Sequence, residues 1–264
     1  MMELKKSKAC VLRVGGTNCD LEVKVALEEL GLKTDILHMN QLADGTLSNY
    51  QMLVFPGGFS YGDYVRAGAI WGKEIFTKLR KELGKFTDDG KLVIGICNGF
   101  QVLVEAGLLP GNSVAGVPTA SLANNSSAKY ECRWIYLRVE SRQTPFARTI
   151  KVWDTLWMPI GHGEGRFILP SEEALNELVK ENQVIFRYAM PDGRPADGRY
   201  PHNPNGAAYD IAGICNKKGN VMGMMPHPER AFFGWQTPSQ RGKRKARGDG
   251  RCVFEGAVEY IKKY

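Results

Sequence analysis

LVIGICNGFQ, residues 92–101, decides how the chain is read. Its first five residues are apolar or glycine and too few for a helix, so they read as a strand buried on both faces. Gly95, Cys97 and Gly99 then form G-x-C-x-G, whose small residues permit a sharp strand-to-helix turn. Such an elbow thrusts the Cys97 side chain out at the carboxyl end of a sheet. The partial positive charge at the head of the next helix supports an anionic nucleophile there. The plainer reading is a small core residue in a βα turn; the elbow favours the nucleophile.

Outward from this stretch the pattern alternates. Strands are expected at residues 9–14 (ACVLRV), 33–37 and 52–55 (MLVF). Helices are expected over 21–30 with Asp20 as cap, over 69–83 with Trp71, Ile75, Leu79 and Leu83 every four residues, and over 99–106. Short apolar strands alternating with helices make an α/β protein with an open, mostly parallel sheet and helices on both faces. After Leu109 the pattern changes. Residues 129–140 (KYECRWIYLRVE) alternate like a half-exposed antiparallel strand, and residues 150–157 and 183–189 also read as strands. A helix capped by Ser171 spans 171–181, and strands at 207–215 and 220–225 pair around a turn. Phe254, Ala257, Val258 and Ile261 mark a final helix. Residues 190–205 (MPDGRPADGRYPHNPN) are a loop by composition.

The chain has 264 residues, 43% of them hydrophobic, which excludes collagen-like and disordered classes. No apolar run is long enough for a membrane span, and the basic, interrupted start does not read as a cleaved signal. Lys plus Arg number 35 against 28 Asp plus Glu, a formal charge of +7. Arg241, Lys243, Arg244, Lys245 and Arg247 supply five of these charges, so the body is nearly neutral. A solvated or partner-contacting loop is the better reading of that run, over a nucleic-acid site. Cys10, Cys19, Cys97, Cys132, Cys215 and Cys252 form no CxxC pair, so a reducing, cytoplasmic setting fits and no metal site is read.

A thiol nucleophile wants a base, and the base wants an orienting acid. MPHPE, residues 225–229, supplies both, because His227 and Glu229 are two apart with prolines holding the backbone extended. Gly57 and Gly58, after the strand at 52–55, and the N–H of Asn98 are candidate oxyanion donors. His162, in GHGEGR, is a second candidate site residue, whereas His38 and His202 read as solvated. Cys19 precedes a helix cap with no base placed for it and reads as structural, as do Arg133 and Trp134. Asp63 and Arg66 divide evenly between surface charge and a role in partner contact or loop anchoring.

Residues 56–71 (PGGFSYGDYVRAGAIW), 95–101 (GICNGFQ), 161–167 (GHGEGRF) and 225–231 (MPHPERA) together resemble the class I, triad-type glutamine amidotransferases. More narrowly they resemble the glutaminase subunit of phosphoribosylformylglycinamidine synthase, of purine biosynthesis. Residues 16–20 (GTNCD) match that family's first loop, and the resemblance runs from about Cys10 to Phe233. It implies a flavodoxin-like fold, with residues 1–264 as one glutaminase domain carrying a basic C-terminal segment, 236–264. Cys97 would attack the glutamine amide, with His227 as base and then acid, and Glu229 orienting it. A γ-glutamyl thioester would form and be hydrolysed to glutamate and ammonia. Gly58 and Asn98 would hold the oxyanion and Gln101 would bind glutamine, with Phe59, Ser60 and His162 nearby.

The sequence carries no Walker-type phosphate loop. The resemblance accordingly implies a large ATP- and magnesium-using synthetase subunit and a small accessory subunit as partners, with no cofactor in this chain. The synthetase would aminate formylglycinamide ribonucleotide, and the glutaminase loop at 57–64 would be ordered by the partner. The alternatives are the glutaminase of another amidotransferase and a non-catalytic binding subunit on the same fold.

Overall fold

The structure, a computed structural model, describes residues 7–111, 117–238 and 247–263. The first half runs β1 (Lys8–Arg13), α1 (Asp20–Glu29), β2 (Lys33–His38), β3 (Met52–Phe55), α2 (Ala69–Lys78), α3 (Arg80–Asp88), β4 (Leu92–Ile96) and α4 (Asn98–Glu105). The second half runs β5 (Ser121–Ala123), β6 (Glu131–Val139), β7 (Thr155–His162), β8 (Arg166–Ile168), α5 (Glu172–Lys180), β9 (Val184–Ala189), β10 (Ile211–Cys215), β11 (Val221–Met224) and α6 (Arg251–Lys263).

Nine strands form one sheet in the order β2-β1-β3-β4-β11-β10-β9-β6-β7, and β5 pairs with β8 apart from it. The pairings from β2 to β11 are parallel, and those from β11 to β7 antiparallel. Only β10 and β6 run against the other seven. This is the α/β fold expected, with the antiparallel turn after Leu109 that the alternation announced. Strands β3 and β4 are buried along their whole length, as a parallel strand between covered faces must be. Helix α4 lies on β3, β4 and β11, α1 lies on β1 and β2, and α6 reaches α1.

Topology positions the site. Strands β3, β4 and β11 are neighbours pointing the same way, so their carboxyl ends open on one crevice. Those ends lead into Gly57-Gly58, Cys97 and His227 respectively.

Four boundaries differ from the sequence reading, and one of them is the strand expected at 207–215, which begins only at Ile211 after a 3-10 turn over Ala208–Asp210. The helix expected over 69–83 is two helices, because Leu79 departs from helical angles at φ −116 and ψ 0. An every-fourth stripe drifts by about 40° per step on a straight helix. The break at Leu79 returns Leu83 and Phe86 to the core. The strand expected at 150–157 begins only at Thr155 and runs on to His162, because a turn at Lys151–Asp154, with Trp153 at φ 74, precedes it. Pro159 is tolerated because β7 is the edge strand. Cys19, not Asp20, occupies the N-cap of α1 without a capping bond from its side chain, and Asp20 pairs with Arg13 at 3.3 Å. By contrast, Ser171 caps α5 as expected, accepting from the Ala174 N–H at 3.3 Å. In the basic run, residues 241–246 lie outside the described residues, and Arg247 pairs with Glu255.

Candidate active site

The elbow forms. Cys97 sits between β4 and α4 at φ 52 and ψ −108, a conformation non-glycine residues rarely take. Such strain costs about 1–3 kcal/mol and persists where the surroundings over-determine it. The surroundings do so here: the Cys97 N–H is held by the Met224 carbonyl at 2.8 Å. A Cβ on Gly99 would also collide with the Phe55 carbonyl, so only glycine lets α4 approach β3 this closely. The Cys97 side chain is buried and lines a pocket with Gly58, Phe59, Gln101, Tyr130 and His162, its Sγ 3.5 Å from the Gly161 carbonyl.

His227 and Glu229 meet Cys97. His227 Nδ1 lies 2.5 Å from Glu229 Oε1, and the thiols of Cys97 and Cys19 lie close enough to act on the ring electrostatically. Burial disfavours a charged ring, but Glu229, Cys97 and Cys19 outweigh it and raise its proton affinity well above that of an ordinary histidine. A base so placed accepts a proton from the sulfur and holds it, with the buried Glu229 carboxylate as counter-charge. The three side chains come from two adjacent strand ends, 130 residues apart in sequence between Cys97 and His227.

The proposed substrate-binding residues divide by location. Gly58, Phe59, Gln101 and His162 line the pocket. Gln101 Nε2 donates to the Glu164 carbonyl at 2.5 Å, and its Oε1 accepts from Asn98 Nδ2 at 3.0 Å. Asn98 also accepts from the Ser60 N–H at 3.1 Å, so its side chain ties Gln101 to the glycine loop. Its own N–H, at the first turn of α4, has no carbonyl one turn back. The Phe59 N–H is taken by the Gly16 carbonyl at 2.9 Å. Gly57 faces His227 and Cys19 instead of the pocket: a Cβ there would meet His227 Cε1 at 2.7 Å and Cys19 Sγ at 3.1 Å.

His162 carries a fixed tautomer. Asn125 Nδ2 donates to the Lys129 and His162 carbonyls at 2.9 and 2.8 Å, which orients the amide. Asn125 Oδ1 accepts from the Gly165 N–H at 3.0 Å and faces His162 Nδ1 at 3.1 Å, so Nδ1 bears the hydrogen. Burial, and then the charge on His227, push the ring down to about 3, so it is neutral at working pH. Its Nε2 is buried with no partner among the described residues.

Several residues of the pocket were not singled out from the sequence. Glu164 was within GHGEGRF but unremarked, and Tyr130, at the start of the alternating stretch, carried no signal. Asp63 faces the pocket; burial and Glu164 raise its carboxyl to about 6, against a hydrogen bond from Asn98. Arg66 anchors the loop: its Nε and Nη2 hold the buried Glu105 carboxylate at 2.8 and 2.5 Å. Cys19, read as structural, lies beside His227, their ligand atoms within 4.8 Å of one another.

A buried thiol on an elbow, with an imidazole and carboxylate nearby and the N–H groups of Gly58 and Asn98 as candidate oxyanion donors, suits acyl transfer. The family model of the CobB/CobQ-like glutamine amidotransferase domain matches residues 6–261, and the chain belongs to the glutamine amidotransferases. The "Phosphoribosylformylglycinamidine synthase subunit PurQ" of Archaeoglobus fulgidus is 43% identical, over 99% of this chain and 100% of that protein. That of Dehalococcoides mccartyi is 41% identical, over 98% and 99%. The solved structure of PurLQS from Thermotoga maritima aligns with a TM-score of 0.73 at 34% identity, over 97% of this chain and 99% of that one. Within the amidotransferases, the chain is a member of the PurQ family.

Proposed function

We propose that this chain is the glutaminase subunit of phosphoribosylformylglycinamidine synthase, hydrolysing glutamine and passing the ammonia to a synthetase subunit. The observation that carries the reading is the convergence of Cys97, His227 and Glu229 in a chain that matches PurQ proteins over its whole length. His227 takes the Cys97 proton as sulfur attacks the side-chain amide carbon of glutamine. The oxyanion is held by the N–H groups of Gly58 and Asn98. His227 then protonates the departing ammonia, leaving a γ-glutamyl thioester on Cys97. Water, deprotonated by His227, hydrolyses it to glutamate and restores the thiol.

Asp63 and Glu164 suit the α-ammonium of the substrate: the Asp63 carboxyl, raised by burial and by Glu164, gains from a cation placed beside it. Gln101, Phe59 and His162 complete the pocket. The partners are the synthetase and a small accessory subunit, as the name of the Thermotoga complex suggests. ATP and magnesium are bound by the synthetase and not by this chain. Tyr64 and Val65, exposed beside the pocket loop, suit contact with that partner. A cytoplasmic location fits six unpaired cysteines.

The test uses the reconstituted complex and formylglycinamide ribonucleotide. Cys97→Ser is expected to abolish amination driven by glutamine and to spare amination driven by added ammonium. Loss of both activities would contradict an ammonia-supplying role.

A further inference from the structure

Cys19 has no part in the scheme above, yet it sits against its base. The residue is 1% exposed, and its Sγ accepts from Arg230 Nη2 at 3.2 Å and donates to Asn18 Oδ1 at 3.2 Å. Arg230 is gripped in turn by Glu22, through Nε at 3.2 Å and Nη2 at 3.2 Å. Donor atoms of Cys19, His227 and Glu229 lie within 4.8 Å of one another. The backbone of Gly57 closes the remaining side, close enough that a Cβ would strike both His227 and the sulfur.

Two roles are poor fits. As a nucleophile Cys19 would need access to substrate, but it does not line the pocket, and burial keeps its thiol above the ordinary range. As a cation ligand, with His227 and Glu229, it would place a metal beside a guanidinium that already occupies the sulfur. What the contacts do provide is restraint. Glu229 fixes one edge of the imidazole through Nδ1, and nothing in that single bond stops the ring from rocking about it. The Cys19 sulfur and the Gly57 backbone fill the space into which it would rock.

We propose that Cys19 is a positioning residue of the glutaminase: clamped by Arg230 and Glu22, it holds the His227 imidazole in register with Cys97. The proposal rests on the glutaminase reading. A thiol suits the position because it is compact, accepts from the guanidinium and donates to Asn18 at once. Alanine removes the wall and strands an Arg230 donor; serine keeps both hydrogen-bonding roles but is smaller.

The experiment measures kcat and KM for glutamine in the assembled complex, beside ammonium-driven amination. For Cys19→Ala, kcat is expected to fall by about tenfold to a hundredfold, the scale for misplacing a catalytic group by up to 1 Å. KM should hold within about twofold, because the pocket is untouched, and the ammonium reaction should be unchanged. Cys19→Ser should recover most of the loss, remaining about threefold below wild type. Wild-type kcat in both variants, or a raised KM at constant kcat, would overturn the proposal. Equal loss in both would mean that the sulfur itself reacts, and would overturn it too. If Cys19→Ala does not assemble, Cys19→Ser decides: wild-type kcat there overturns it. Labelling of wild type by diazo-oxonorleucine separates the two readings. Absence of label on Cys97 sinks the glutaminase itself, whereas normal labelling with wild-type variants sinks only the role of Cys19.

Discussion

Gly57→Ala adds one methyl group where His227, the proposed base, has no room to receive it. The new Cβ would lie 2.7 Å from His227 Cε1, whereas ordinary contact begins near 3.4 Å, so the ring must retreat by about 0.7 Å. It cannot retreat toward Glu229, which already holds Nδ1 at 2.5 Å, nor toward Cys19, whose sulfur is itself 3.1 Å from the added carbon. The displacement is therefore carried toward or away from Cys97, along the line of proton transfer. Misplacement on this scale costs about tenfold to a hundredfold in rate. Overpacking of a buried site costs a further 1–3 kcal/mol, roughly, in stability. The residue's backbone is not left-handed, so alanine brings no separate torsional penalty. Steady-state kinetics in the reconstituted complex should show kcat for glutamine reduced by that factor, with KM held within about twofold and ammonium-driven amination intact. Wild-type kcat, in a variant folded and assembled normally, would refute the claim that Gly57 is spacing for His227.

Three further outcomes follow from the site. Glu229→Gln removes the counter-charge without changing size, so NMR titration should find the His227 ring losing its proton at lower pH than in wild type, and kcat should fall by about a hundredfold or more. His162, depressed from 6.5 to about 3, refuses a proton that the unfolded chain accepts. Its contribution is therefore complete above pH 6.5 and drains as pH falls toward about 3, at up to about 1.4 kcal/mol per unit. Urea unfolding of His162→Gln from pH 7 to 4 should show a shallower loss than wild type. Arg66→Met strands the buried Glu105 carboxylate. With the arginine side chain half in water, a cost of about 1–2 kcal/mol is expected by urea unfolding, below that of a fully buried pair.

Much of this fold was legible because its strands are short, apolar and bounded by turn residues. Strands β3 and β4 fall at the expected residues, and the elbow at Cys97 follows from the glycines on either side of it. Boundaries failed where local pattern and tertiary demand diverge. The stripe from Trp71 to Leu83 reads as one helix, but only a break at Leu79 keeps all of it against the core. Pro159 and Gly161 hid the end of β7, which survives because its outer edge needs no ladder partner. The candidate triad was read from two local pieces, an elbow and His-x-Glu, but the backbone expected to be extended through Glu229 is a 3-10 turn over Pro228–Ala231. Contacts made between pieces left no such trace. Nothing in GTNCD announces that Cys19 abuts His227, since its partners Arg230 and Gly57 lie at the ends of other strands. Asn125 is silent for the same reason: its four side-chain bonds to the 162–165 loop and Lys129 exist only once β5 and β8 have paired.

The central claim is that sulfur on Cys97 receives the acyl group of glutamine. Mass mapping after treatment of the synthetase complex with diazo-oxonorleucine tests it directly. A single adduct is expected on Cys97, lost on prior incubation with glutamine. An adduct on Cys19, or none on any cysteine in the assembled complex, would contradict the account.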